Sequence, residues 1–235
     1  MPRMHGRGVR LLALVAVACA CAAAGAGTSA QSAQPPSSVV RGVVGIGIPV
    51  PTRRPSAAYA TRGVPAAPLA PASEVRHVVV YLKDAPPRTL PPVRVEIVQR
   101  NETFVPRVVA VPVGSVVAFP NADPIYHNVF SLSRARPFNL GRYPRGRSRE
   151  ERFDKPGIVR VFCDIHSHMS ATVIVFNHPW YAIPDAEGRF EIPDVPAGDR
   201  ELTAWHERLG DTTQRIRVEG GRPTMANFTL PVPPQ

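Results

Sequence analysis

The chain has 235 residues, with 28 lysine and arginine against 18 aspartate and glutamate. That length allows one large domain or two small ones, each with a core of its own. The positive balance is almost wholly arginine, but few aromatics and no recognition motif argue against a nucleic-acid partner.

Residues 1–30 read as an export signal. Arg3, Arg7 and Arg10 form a basic n-region, the apolar stretch 11–24 follows, and Thr28-Ser29-Ala30 offers a cleavage site. The apolar run is too short and too alanine-rich for a membrane span, so the mature form is expected to have none. A lipid anchor is the alternative, because Cys19 follows Ala16-Val17-Ala18. Cleavage leaves 25 basic residues against 18 acidic ones, a balance of +7, and removes Cys19 and Cys21. Cys163 is then the single thiol of a periplasmic protein, where cysteines are normally paired or absent.

Residues 31–37 read as a linker, and the proline-rich stretch 34–71 as an extended loop. Twelve short β-rich runs then appear, at 38–46, 74–82, 93–99, 107–114, 115–120, 127–132, 158–163, 171–176, 188–192, 200–207, 215–220 and 225–230. Such runs, punctuated by Gly, Pro and Asp, predict an all-β chain of sandwiches. Residues 93–177 form one run of strands and 178–235 another. The strands within 38–92 have too few partners of their own and are expected to pair with the C-terminal group. Between two candidate ligands lies 133–152, read as a loop carrying Arg134, Arg136, Arg142, Arg145, Arg147, Arg149 and Arg152. Two readings of it stand: a basic docking surface for an acidic redox partner, or a solvated, mobile loop.

The chemistry concentrates in "GIVRVFCDIHSHMSATVIVF", residues 157–176. With a period of two, Val159, Val161 and Cys163 share one face, while Arg160 marks the other as the wetter one. Cys163 therefore points inward. Alone it would be a small core hydrophobe. His166 and Met169 follow at three-residue steps, and His127 lies upstream after a strand and a turn. Two imidazoles and a thiolate with a weak thioether make the donor set of a blue-copper centre. Structural zinc usually takes more thiolates. A c-type haem needs a second Cys that is missing. A Cys nucleophile with a His base stays open in principle.

On these residues, 93–176 resembles a cupredoxin of the plastocyanin and amicyanin type. The "FVPRVVAVPVGSVVAFPNAD" run resembles the entry strands, "HNV" the segment with the first His ligand, and "CDIHSHM" the short ligand loop seen in amicyanins. The resemblance implies a Greek-key β-sandwich and one type 1 copper, cycling Cu(I)/Cu(II) at His127, Cys163, His166 and Met169. It implies an electron carrier rather than an enzyme, with a redox protein such as a cytochrome or dehydrogenase as partner. Asn128 matches a residue that ties the family's ligand loops together. Ser167 stands where the family often has Pro, and His168 is expected to point outward. Other functions weighed against this are a periplasmic copper-delivery protein and a non-catalytic binding module with a structural metal.

The segment "DAEGRFEIPDVPAGDRELTAWH" resembles the carboxypeptidase regulatory-like, transthyretin-like β-sandwich family, which is generally non-catalytic. The order of the two segments resembles exported plastocyanin-like proteins of the methylamine-utilisation type. His206-Glu207 begins like a zinc-protease motif, but Gly210 replaces the second His and excludes it. His178 and His206 stay open between a second metal site and strand-end hydrogen bonds. Trp180, Tyr181 and Trp205 are expected to pack rather than to form a binding platform.

Overall fold

The computed structural model describes residues 37–47 and 74–230. The stretch 1–30 expected to be an export signal, with Cys19, and most of the proline-rich stretch 34–71 lie outside the described residues. The fold is all-β.

Two sheets enclose the first core. One orders β10 (Ser148–Phe153), β7 (Ser115–Pro120) and β3 (Arg94–Glu96). The other orders β6 (Val108–Pro112), β12 (Ser170–Phe176), β11 (Gly157–Phe162), β8 (His127–Ser131) and β9 (Phe138–Tyr143). A two-stranded ribbon, β4 (Val98–Gln99) with β5 (Phe104–Val105), closes one end. Alternation aims Val117, Phe119, Val129, Phe153, Val159, Val161 and Val173 into one buried cluster, which also contains Cys163 and Met169.

Two further sheets enclose the second core. β1 (Ser37–Ile46) runs antiparallel to β14 (Arg189–Pro196) and parallel to β17 (Thr224–Met225) and β18 (Phe228–Leu230). β2 (Val78–Leu82) lies between β13 (Tyr181–Ala182) and β15 (Gly198–His206), and β15 pairs with β16 (Gly210–Val218). Val40, Ile192, Leu202, Phe228 and Leu230 fill the space between them, with Trp180 buried at its side. A third cluster, Val79, Val108, Ile174 and Phe176, joins β2 to β6 and β12, and Tyr181 and Trp205 pack against it. These aromatic side chains are packing, not a platform.

Two sequence expectations change. Residues 74–77 form a helical turn rather than the start of a strand, with His77 N donating to Glu74 O at 2.9 Å. Residues 133–152 are not a loop, because they contain β9 and all but the last residue of β10. These are edge strands whose anchors, Tyr143 and Phe153, are buried while the arginines face out. Charged side chains suit an edge, where they discourage pairing with another chain.

Arg107, just before β6, connects the two halves. It donates through Nε to Glu207 and through Nη2 to Ser170 Oγ, each at 3.2 Å.

Candidate metal centre

His127 opens β8 and Cys163 directly follows β11, its neighbour in the sheet. The two side chains therefore meet at one end of the sandwich. Val159 and Val161 are fully buried, Cys163 is 4 % exposed, and Arg160 faces solvent. The β11–β12 hairpin is in register up to Phe162 and Ser170, which leaves a seven-residue loop. Met169 N donates to His166 O at 3.0 Å and folds that loop back on itself. His166 is thereby brought over Cys163.

The resulting geometry is a triangle of donor atoms. His127 Nδ1 and His166 Nδ1 lie 3.1 Å apart, and Cys163 Sγ is 4.0 Å from the first and 3.9 Å from the second. A point in that plane is about 2.1 Å from all three atoms, the length of a metal–imidazole bond and about 0.2 Å short of a metal–thiolate bond. His127 and Cys163 are buried and His166 is half-buried. Met169, 1 % exposed, packs in the same cluster as Cys163.

The tautomer of His127 is set from behind. Its Nε2 lies 2.8 Å from Asp123 Oδ2, so the proton sits on Nε2 and the Nδ1 lone pair faces Cys163 and His166. A carboxylate behind a histidine is the usual outer-shell partner of a metal ligand. Asp123 is itself held. Its Oδ1 accepts from Asn101 N at 2.6 Å and its Oδ2 from Glu102 N at 2.9 Å. Asn101 and Glu102 have φ of 54° and 52°, left-handed values that turn both amides toward one anion. Burial pushes the Asp123 carboxyl up, but the Glu102 amide and His127 outweigh it and hold the group below its ordinary value.

Asn128 contributes twice. Its backbone N–H points at Cys163 Sγ at 3.5 Å, and its side chain donates to Asn139 Oδ1 at 2.8 Å. The amide thus ties β8 to the thiol, while the side chain fastens β8 to β9 rather than to the 163–169 loop. His168 is exposed and lies 3.6 Å from Glu102, away from the triangle. Asp123 escaped the sequence reading, because "NADP" reads as turn punctuation. The signal that could have found it is its position four residues before a candidate histidine.

No protein-family model and no curated protein matches the chain. Similar solved structures include a copper-containing nitrite reductase from Thermus scotoductus, at 24 % identity and TM-score 0.35. That match covers 41 % of this chain and 25 % of the reductase, so the chain spans about a quarter of that enzyme's length. A purple cupredoxin from Nitrosopumilus maritimus matches at 25 % identity and TM-score 0.30, covering 32 % of this chain and 84 % of that one. Amicyanin from Paracoccus versutus matches at 19 % identity and TM-score 0.33, covering 41 % and 97 %.

A second group, Glu74, His77 and His206, brings ligand-type atoms within 4.8 Å of one another. The tautomer of His206 speaks against a metal. His206 Nδ1 accepts the backbone N–H groups of Arg208 and Leu209, each at 3.2 Å, which places its own proton on Nε2. That nitrogen faces Glu74 Oε2 at 3.3 Å, and Arg208 holds the other carboxylate oxygen at 2.5 Å. Burial keeps both imidazoles less basic than usual. The group fastens the turn before β2 to the end of β15.

His178 is separate from that group. Its Nδ1 accepts Trp180 N–H at 3.2 Å, and burial pushes its pKa down from 6.5 to about 4. The unfolded chain therefore takes up a proton below pH 6.5 that the folded His178 refuses until about pH 4. Stability contributed by the neutral ring is full above pH 6.5 and is lost as pH falls toward 4, by up to about 3 kcal/mol. Urea unfolding at pH 7 and pH 5 should show this loss. His178→Asn, which keeps an acceptor for Trp180, should flatten the slope; an unchanged slope would refute the assignment.

Proposed function

We propose that the chain is an exported, cupredoxin-like electron carrier. One type 1 copper is held by His127 Nδ1, Cys163 Sγ and His166 Nδ1, with Met169 as the axial ligand. The observation that carries this reading is the buried Nδ1, Nδ1, Sγ triangle with His127 locked by Asp123. The donor set selects copper over zinc, since a trigonal plane of two imidazoles and a thiolate with a long thioether suits blue copper. Bound there, copper would supply a one-electron couple.

The protein's own residues do the rest. β8 and β11 fix His127 and Cys163 on a rigid sheet, so the donors need not move when charge changes. The apolar cluster around Cys163 keeps water out, so little solvent has to rearrange when the charge at the site changes. Met169 is buried with the donors instead of leaving an open position for a substrate, which favours a carrier over a catalyst. His166 alone is half-buried and offers its ring edge as the exit. The single free thiol among the described residues is Cys163, which suits a periplasmic location in which it is occupied by metal. On its sequence resemblance alone, the C-terminal part is read as a non-catalytic, transthyretin-like module.

Titration with copper tests the reading. The expected result is one tightly bound ion per chain. Met169→Leu should retain the bound ion and raise the reduction potential. If that variant loses copper altogether, the axial role is wrong; if the wild type binds none, the reading fails.

A further inference from the structure

The arginine-rich segment that runs from β9 in one sheet to β10 in the other, a ribbon of chain crossing between the sheet edges, is tied to the donor triangle at two points. Tyr143 and Arg142 are the register partners of His127 and Asn128. The turn after Tyr143 is stapled by Asn121, whose N donates to Arg147 O at 2.9 Å and whose O accepts from Gly146 N at 2.8 Å. The Asn121 side chain donates onward to Ile125 O at 2.8 Å. On the other side, Arg142 pairs with Asp164, directly after Cys163, at 3.2 Å. The ribbon is thereby anchored both to the loop before His127 and to the loop carrying His166.

Those two loops expose apolar side chains: Ile125 at 38 %, Tyr126 at 58 % and Ile165 at 39 %. The ribbon's charges are unbalanced. Its own acids are taken up elsewhere, Glu150 by Arg94 and Glu151 by Arg136. Among the described residues Arg145, Arg147 and Arg149 have no carboxylate within salt-bridge distance, and Arg149 instead lies over the Tyr143 ring, 5.2 Å from its centroid. The acids beside the patch have partners, Asp164 with Arg142 and Glu102 facing His168 at 3.6 Å, so the rim is mainly positive, and an apolar patch with such a rim is the form of a transient docking site.

The geometry points to a docking face made of Ile125, Tyr126 and Ile165, rimmed by Arg145, Arg147 and Arg149, for an acidic redox protein. This rests on the electron-carrier reading for the nature of the partner, but the docking itself does not need a metal. The arginines steer an oppositely charged protein onto the patch, and the patch sets its face against the His166 edge. The encounter is fast, weak and sensitive to salt.

The test is binding, read by amide NMR of the full chain, metal-free and copper-loaded. The probes are an acidic c-type cytochrome, a basic one, and phosphatidylglycerol vesicles. The acidic cytochrome should shift the amides of Tyr126, Arg145, Arg147 and Ile165. Its affinity should fall about tenfold in the double variant R145E/R147E, and again from low to physiological salt. These side chains are exposed, so circular dichroism should confirm an intact fold. Equal binding of both cytochromes, an undiminished affinity after charge reversal, or binding to vesicles alone would overturn the proposal. Because the metal-free arm is read separately, a failure to bind copper would leave this outcome distinct.

Discussion

Asp123→Ala is expected to weaken copper binding by about 10- to 100-fold and to destabilise the fold by about 2–4 kcal/mol. The carboxylate accepts three hydrogen bonds, from Asn101 N, Glu102 N and His127 Nε2. Removing it leaves two converging amides, in left-handed backbone, with no acceptor at their focus. It also frees His127 to carry its proton on Nδ1, the atom that must stay bare toward Cys163. Asp123→Asn separates the effects. The amide keeps one acceptor oxygen where the carboxylate has two, so only part of the stability should return. Its neutral charge no longer favours the Nε2–H tautomer, so the copper affinity should stay low. Equal copper affinity in the wild type and Asp123→Ala would show that Asp123 is only a structural staple.

Gly42→Ala is expected to cost at least about 4 kcal/mol, measured by urea unfolding. A Cβ on Gly42 would lie 1.7 Å from the Ala226 carbonyl oxygen and 2.9 Å from the Phe190 ring. The reason lies in the sheet. β1 is flanked by β14 on one side and by β17 and β18 on the other, and Ala226 N donates to Arg41 O at 2.8 Å between those last two. The close approach leaves no room for a side chain, and neither neighbour is a flexible tip. Relief would require β1 to part from residues 224–230, exposing Phe228 and Leu230. Gly45, three residues on, is the control: its nearest neighbour would be Phe228 O at 3.8 Å, so Gly45→Ala should be within about 0.5 kcal/mol of the wild type. Similar losses at the two positions would contradict the packing.

The donor triangle was largely legible in the sequence because its parts obey local rules. Cys163 continues the phase of Val159 and Val161, and the spacing to His166 and Met169 fits one short hairpin loop. His127 was legible as the first residue of a separate apolar strand. Asp123 was not, because its meaning depends on the amides of Asn101 and Glu102, some twenty residues away, adopting left-handed backbone. The valine-rich strands of both cores were visible for the same reason as Cys163. β9 and β10 were hidden by their chemistry. The register of β9 shifts between Asn128 and Phe130, so Phe138, Leu140 and Tyr143 do not keep a period of two. β10, "SREERF", offers a single buried side chain, Phe153, among exposed and half-buried polar ones. Edge strands that carry charge lack the alternation by which strands are recognised.

The most direct test of the copper reading is the visible absorption spectrum of the Cu(II)-loaded chain beside that of Cys163→Ser. A thiolate held in a trigonal plane with His127 and His166 predicts an intense charge-transfer band, bleached by a reductant and absent from the serine variant. A colourless wild type, or a band that survives in Cys163→Ser, would contradict it.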